Sequence, residues 1–144
     1  MRKLAIVYVL FGFVFLVGLG TGLRVDAQSV KEKSMNADGS MIQVKVLGVS
    51  ADVVSVKPYI KAKQGKKEGD LWLDVVIKNS GSEPGAYNIF GQGKTKSGGW
   101  LGGALKVPEE GKIDPGKEAT AKVKTRYKGE AVPKEIRVEV LPPQ

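Results

Sequence analysis

Between residues 71 and 78 the chain alternates without a break, with Leu71, Leu73, Val75 and Ile77 on one side and Trp72, Asp74, Val76 and Lys78 on the other. Period two is the signature of a β-strand with one buried face, whereas an amphipathic helix needs apolar residues three and four apart. The run stops at Asn79-Ser80-Gly81, whose side chains favour a turn. The same pattern recurs upstream as Ile42, Val44 and Val46 against Gln43 and Lys45, followed by Gly48 as an expected bulge and then Val54 and Val56. That stretch reads as one strand, or two joined at a kink. A further β-region is expected over 86–95, reversed at Ser97-Gly98-Gly99 and returning over 100–107. In Asp114-Pro115-Gly116, proline fixes the first central position of a type II turn and glycine permits the positive φ of the second. No segment after the N-terminal run carries a 3.6-residue period, so the fold class is all-β.

The N-terminus is of a different kind. Arg2 and Lys3 precede a run, Leu4 to Leu19, that is apolar apart from Gly12 and Gly18, and Val25-Asp26-Ala27 places small side chains three residues and one residue before Gln28. This is the layout of a secretory signal over 1–27 with cleavage after Ala27, and it predicts an extracytoplasmic protein, periplasmic or secreted. Retained, the segment matches the ~20 residues a bilayer crossing needs and would act as a membrane anchor. With no cysteine, a lipoprotein route is closed.

The absence of both Cys and His narrows the chemistry further. It excludes a zinc site of the usual ligands, haem attachment, a disulfide framework, a thiol nucleophile and a serine-histidine relay. An exported domain of this composition is held by its core alone, and the length suits one domain. Cleavage would remove Arg2, Lys3, Arg24 and Asp26 from the 23 basic and 15 acidic residues, leaving 20 against 14. A basic surface favours anionic envelope polymers, acidic proteins or headgroups, while export disfavours nucleic acid. Only Arg126 and Arg137 of those cations are arginine, which argues against recognition built on planar guanidinium forks.

Residues 28–40 are polar, contain Asn36, Asp38 and Gly39, show no apolar period, and are expected to form a flexible lead-in. Residues 57–70 hold Pro58, Gly65, Gly69 and lysines 57, 61, 63, 66 and 67, and read as an exposed connection whose cations extend it. The last two strands invite pairing with each other. Ala121, Val123, Thr125 and Tyr127 face inward on one, and Ile136, Val138 and Val140 on the other. A register setting Ala121 against Val140 matches every inward residue with an inward partner, and sets Lys122 against Glu139 and Arg126 against Glu135.

The candidate binding residues follow from these placements. Lys122, Lys124, Arg126 and Lys128, two apart on a strand, stand on one face at intervals of roughly 7 Å, a spacing that suits a repeating anionic polymer. The plainer reading is a solvated strand face, partly neutralised by the opposing glutamates. Lys61, Lys63, Lys66 and Lys67 join the list from the basic connection. Trp72 and Trp100, with Tyr87 and Phe90, could form an aromatic platform for a glycan or a protein, although a second sheet or a loop packed over Trp72 is the plainer reading of that residue.

Other apparent motifs carry less. Gly93-Lys94-Thr95 imitates the end of a phosphate-binding loop, but Asn88 stands where the first glycine is required, so hairpin turns and bulges are the expected role of the glycines from 91 to 103. Glu109, Glu110, Asp70 and Asp74 are the remaining acid-base candidates, and their spacing shows no convergence. No calcium-loop pattern occurs, and neither catalytic residues, metal ligands nor a cofactor are assigned.

The phrase Leu71-Trp-Leu-Asp-Val-Val-Ile-Lys-Asn-Ser-Gly81, followed by Ile113-Asp-Pro-Gly-Lys117 and an alternating strand, resembles the immunoglobulin-like β-sandwich domains of bacterial exported proteins. The nearest groups are the cell-adhesion-related bacterial domain and the FxLYD-type domains. The resemblance spans 41–142 and implies a single Greek-key sandwich of about seven strands. It implies a non-enzymatic role as a protein-interaction or scaffolding module of the cell envelope, with an envelope protein as partner. The alternative is an electrostatic binder of an anionic glycan, lipid or polymer through the lysine-rich face.

Overall fold

The computed structural model describes residues 30–143. The signal segment expected over 1–27, with its cleavage site, lies outside the described residues. Eight strands run in chain order: β1 (Val30–Ala37), β2 (Ser40–Leu47), β3 (Ala51–Ala62), β4 (Gly69–Asn79), β5 (Tyr87–Lys94), β6 (Trp100–Val107), β7 (Glu118–Gly129) and β8 (Glu135–Leu141). They form two sheets, one ordered β1-β2-β8-β5-β6 and the other β3-β4-β7. All ladders are antiparallel except that of β2 with β8. The described residues are all-β, as their periodicity predicts.

Alternation determines which side of each sheet is dry. Ile42, Val44, Ile89, Ile136, Val138 and Val140 project from the five-stranded sheet, and Leu71, Leu73, Val75, Ile77 and Val123 from the three-stranded one, all essentially without exposure. Gly91 and Gly93 lie on the inner face of β5 because a side chain there would collide with β4. A Cβ on Gly91 would sit 2.5 Å from Leu73 Cδ1, and one on Gly93 2.8 Å from Leu71 Cδ2. Thus Gly91, Gly93, Gly102 and Gly103 are strand residues, and of the glycines from 91 to 103 only Gly98 and Gly99 belong to the expected turn.

On one side the layers come into backbone contact. A Cβ on Gly103 of β6 would strike the Lys124 carbonyl of β7, so no side chain fits between these strands. On the other side Lys31 pairs with Asp52 at 3.4 Å, and Lys33 Nζ donates to the Val53 carbonyl, linking β1 to β3.

Several expectations are corrected. Of the flexible lead-in expected over 28–40, the described residues from Val30 instead pair along the whole length of β2 through the turn at Asp38 (φ 51°) and Gly39 (φ 86°). Two successive positive φ values suit the twist of a two-residue hairpin. The described residues thus hold eight strands, in keeping with the expected seven or so, and the folded unit begins before Met41. Residues 41–56 belong to two strands in different sheets, with Gly48 (φ 68°) in the crossing between them. Residues 57–62 are part of β3, which leaves only 63–68 as the basic connection.

The expected pairing of β7 with β8 does not occur. Their inward residues are as predicted, but β7 pairs with β4, and β8 lies between β2 and β5. The connection crosses between the layers, tied down where Ser40 Oγ donates to the Pro133 carbonyl (2.7 Å) and the Met41 N–H to the Lys134 carbonyl (2.8 Å). Two strands with matching apolar faces can meet across a sandwich as well as side by side, so periodicity alone does not select the partner.

Candidate functional site: two decorated sheet faces

The outer face of the three-stranded sheet is an ordered grid. Register places Lys61, Asp70 and Lys128 in one row, Tyr59, Trp72 and Lys124 in the next, and Lys57, Asp74 and Lys122 in the third. Trp72 is half-buried rather than covered by another layer, with Lys61 Nζ 5.2 Å from its ring centre. The Tyr59 hydroxyl donates to Asp74 Oδ1 at 3.2 Å. Burial chiefly, and then the Asp74 charge, raises the pKa of that phenol, so Tyr59 keeps its donor proton.

The lysine row of β7 is neutralised from β4 and not from β8. Lys122 meets Asp74 at 3.3 Å, while Lys128 and Lys124 meet the two oxygens of Asp70 at 3.1 and 3.6 Å. The Lys128 hydrogen bond is the main cause holding the Asp70 carboxyl below the usual aspartate range. The lysine side chains remain 59–70% exposed, while the carboxylates are recessed to 21–23%. The face therefore presents cations outward over countercharges held beneath.

A local irregularity sets the spacing of that row. Between Asp70↔Lys128 and Trp72↔Lys124, β4 supplies one residue and β7 three. The excess of two preserves side-chain parity, so Lys124 and Lys128 stay on one face with Arg126 exposed between them. Buried Thr125 repairs the ladder there, its Oγ1 donating to the Leu71 carbonyl (3.0 Å) and accepting from the Tyr127 N–H (3.1 Å).

The outer face of the five-stranded sheet is different in kind. Its rows read Met41, Glu135, Lys94, Trp100, then Gln43, Arg137, Gln92, Gly102, then Lys45, Glu139, Phe90, Ala104. The Arg137 guanidinium lies 3.8 Å from the Trp100 ring centre, and Lys94 Nζ, paired with Glu135 at 3.2 Å, lies 5.9 Å from the same ring. Arg137 makes no ion pair among the described residues. Phe90 and Met41 stand 41% and 49% exposed on this face.

The structure thus gathers Lys61, Trp72, Lys122, Lys124, Arg126 and Lys128 on one surface and puts Trp100 on the opposite one. Lys63, Lys66 and Lys67 are exposed in the β3–β4 connection, beyond the grid. The single aromatic platform does not form. Tyr87 is in the core with its hydroxyl donating to the Ser50 carbonyl (3.0 Å), and Trp72 is separated from Phe90 and Trp100 by the thickness of the sandwich. From sequence, Lys57 and Tyr59 fall in the exposed basic stretch 57–70 and Arg137 stands out only as one of two arginines; that Lys57 and Tyr59 lie on a strand face, and which neighbours all three meet, comes from register.

A cleft of about 1040 Å³ opens at the end of the sandwich where the β5–β6 turn meets the β7–β8 connection, with Lys96, Lys134, Glu68 and Glu130 among its lining residues. No group of three or more acidic residues is placed to hold a metal ion among the described residues. No helix among them is long and apolar enough to cross a membrane. No known protein family, curated protein or solved structure matches the chain.

Proposed function

We propose that this chain is an exported, non-enzymatic immunoglobulin-like domain that serves as a protein-interaction or scaffolding module of the cell envelope, holding its partner on the outer face of the five-stranded sheet. The N-terminal address and the strand-and-turn resemblance support export and the immunoglobulin-like reading; the two-layer all-β fold is compatible with both. The observation that carries the interaction reading is Arg137 stacked on Trp100 beside exposed Phe90 and Met41. Tryptophan and arginine dominate the centres of protein interfaces, because each buries a large surface and keeps directed hydrogen-bond donors. Stacking also holds the guanidinium in place before a partner arrives, which lowers the ordering cost of binding.

The test uses the exported chain as bait on a solubilised envelope extract. A discrete protein partner is expected to be retained at high salt and to be lost from the Trp100→Ala and Phe90→Ser variants. Retention of nothing at high salt, or capture indifferent to both substitutions, would overturn the reading.

A further inference from the structure

The grid on the three-stranded sheet differs in chemistry from the Arg137–Trp100 face. Its middle row sets Tyr59 beside Trp72 on adjacent strands about 4.8 Å apart, giving a pair of partly exposed rings side by side on the outer face. Rows of Lys-Asp-Lys flank that pair on both sides, each about 7 Å along the strands. Six cations, counting Arg126, stand against two carboxylates.

We propose that this face is a binding platform for an acidic polysaccharide. A sugar ring lies across Tyr59 and Trp72 with its C–H face on the aromatic surface. Its hydroxyls donate to Asp70 and Asp74. The carboxylates of neighbouring sugar units reach Lys61 and Lys128 on one side and Lys57 and Lys122 on the other. A glycan of this kind supplies all three chemistries together. Polyphosphate has the charge but neither ring nor hydroxyl donors, and a lipid surface would call for protruding apolar side chains, which these three rows lack.

The present ion pairs do not block the site. Each joins a largely exposed lysine to a recessed carboxylate, the class of pair that contributes little to stability, so the ammonium groups turn outward to a ligand at small cost. Lys61 lies over Trp72 by an equally weak surface cation–π contact, and its flexible stem lets it yield the ring to a sugar.

Binding to polygalacturonate, to neutral dextran and to polyphosphate, measured by calorimetry at low and high salt, tests the proposal. Polygalacturonate is expected to bind most tightly, with an affinity that falls about tenfold in Trp72→Ala and is largely kept in Trp72→Tyr, which restores a ring. Lys122→Gln with Lys128→Gln should weaken binding and flatten its salt dependence. Trp100→Ala should change nothing here, which separates this site from the protein-binding face. Equal affinity for polyphosphate, or indifference of a folded Trp72→Ala variant, would overturn the proposal, as would absence of polygalacturonate binding at low salt.

Discussion

Asn79, at the end of β4, donates from Nδ2 to the carbonyl of Ile113, thirty-four residues further along the chain, at 2.8 Å. The same amide donates to the Glu83 carbonyl (2.8 Å), and Oδ1 accepts from the Gly81 N–H (2.8 Å). Its backbone bonds Lys117 and Gly116 as well, so one buried side chain and its peptide group join the β4–β5 and β6–β7 connections. Asn79→Ala leaves the Ile113 carbonyl without this donor in a dry site, and should cost about 2–4 kcal/mol. A thermal melt should fall by roughly 10 °C or more for a domain of this size. Asn79→Asp keeps the acceptor but loses both donors and should be nearly as damaging, whereas an unchanged melt in either variant would mean that the turns hold without this hub.

Gly103 gives a second stability prediction. Its Cβ would run into the Lys124 carbonyl, which is backbone and cannot rotate away. Gly103→Ala should therefore push β6 from β7 and cost more than the ~1–3 kcal/mol typical of an overfilled core. Gly91→Ala meets only the end of the Leu73 side chain and should fall within that range. Chemical denaturation of the two variants side by side should show the larger loss at Gly103, and the reverse order would exclude a tight β6–β7 contact.

β1 can be tested by truncation. A chain beginning at Met41 loses the whole β1–β2 ladder, the Lys33 bond to Val53 and the cover that Met35 and Ala37 lend to the core. It would expose β2 as a new unpaired edge bearing Met41, Gln43 and Lys45, and exposed edges template further pairing. Relative to a chain starting at Gln28, the shortened one should be less stable and should form concentration-dependent aggregates in light scattering. A monomeric shortened chain of equal stability would make β1 an ornament rather than part of the fold.

What the sequence revealed, and what it concealed, follows from where each signal resides. Leu71 to Ile77, Ala121 to Tyr127 and Ile136 to Val140 each have one buried face, so their alternation declared both the strand and its inward side. β1 has almost no buried face, so Val30–Ala37 carried no apolar period; only Asp38-Gly39 announced the hairpin, and its polar surroundings hid the announcement. Partner choice was illegible for a different reason. Lys122 was expected opposite Glu139 and is held by Asp74, because pairing depends on which connection crosses the layers, and that is settled by anchors such as Ser40 on Pro133. The grid of Tyr59, Trp72 and Lys124 depends on two registers, β3 on β4 and β4 on β7, and on the two-residue excess at Thr125. Trp72 and Lys124 faced outward legibly, Tyr59 did not because residues 57–70 read as a connection, and the adjacency of the three was not legible at all.

Asp70 connects these faces to pH. Its carboxyl is held below the ordinary aspartate range first by the Lys128 hydrogen bond, then by the charges of Lys128 and Lys124 acting against a partial loss of hydration. A carboxylate whose folded pKa lies below its unfolded one stabilises the fold fully above the unfolded value, and that contribution disappears as pH falls through the folded value. The direction is thus acid destabilisation of the β4–β7 ladder, beginning as pH falls through the ordinary aspartate value and complete once it is below the lower, folded one. Carbon-detected NMR titration of the side-chain carboxyls should find Asp70 titrating below an unperturbed aspartate. Lys128→Ala should move it upward, and Lys124→Ala should move it upward by less. High salt should weaken the shift in the parent protein, since the lysine partners are exposed. If Asp70 titrates normally and ignores Lys128→Ala, the two ammonium groups are not seated on it in solution, and the outward presentation of Lys124 and Lys128 over a recessed countercharge would have to be abandoned.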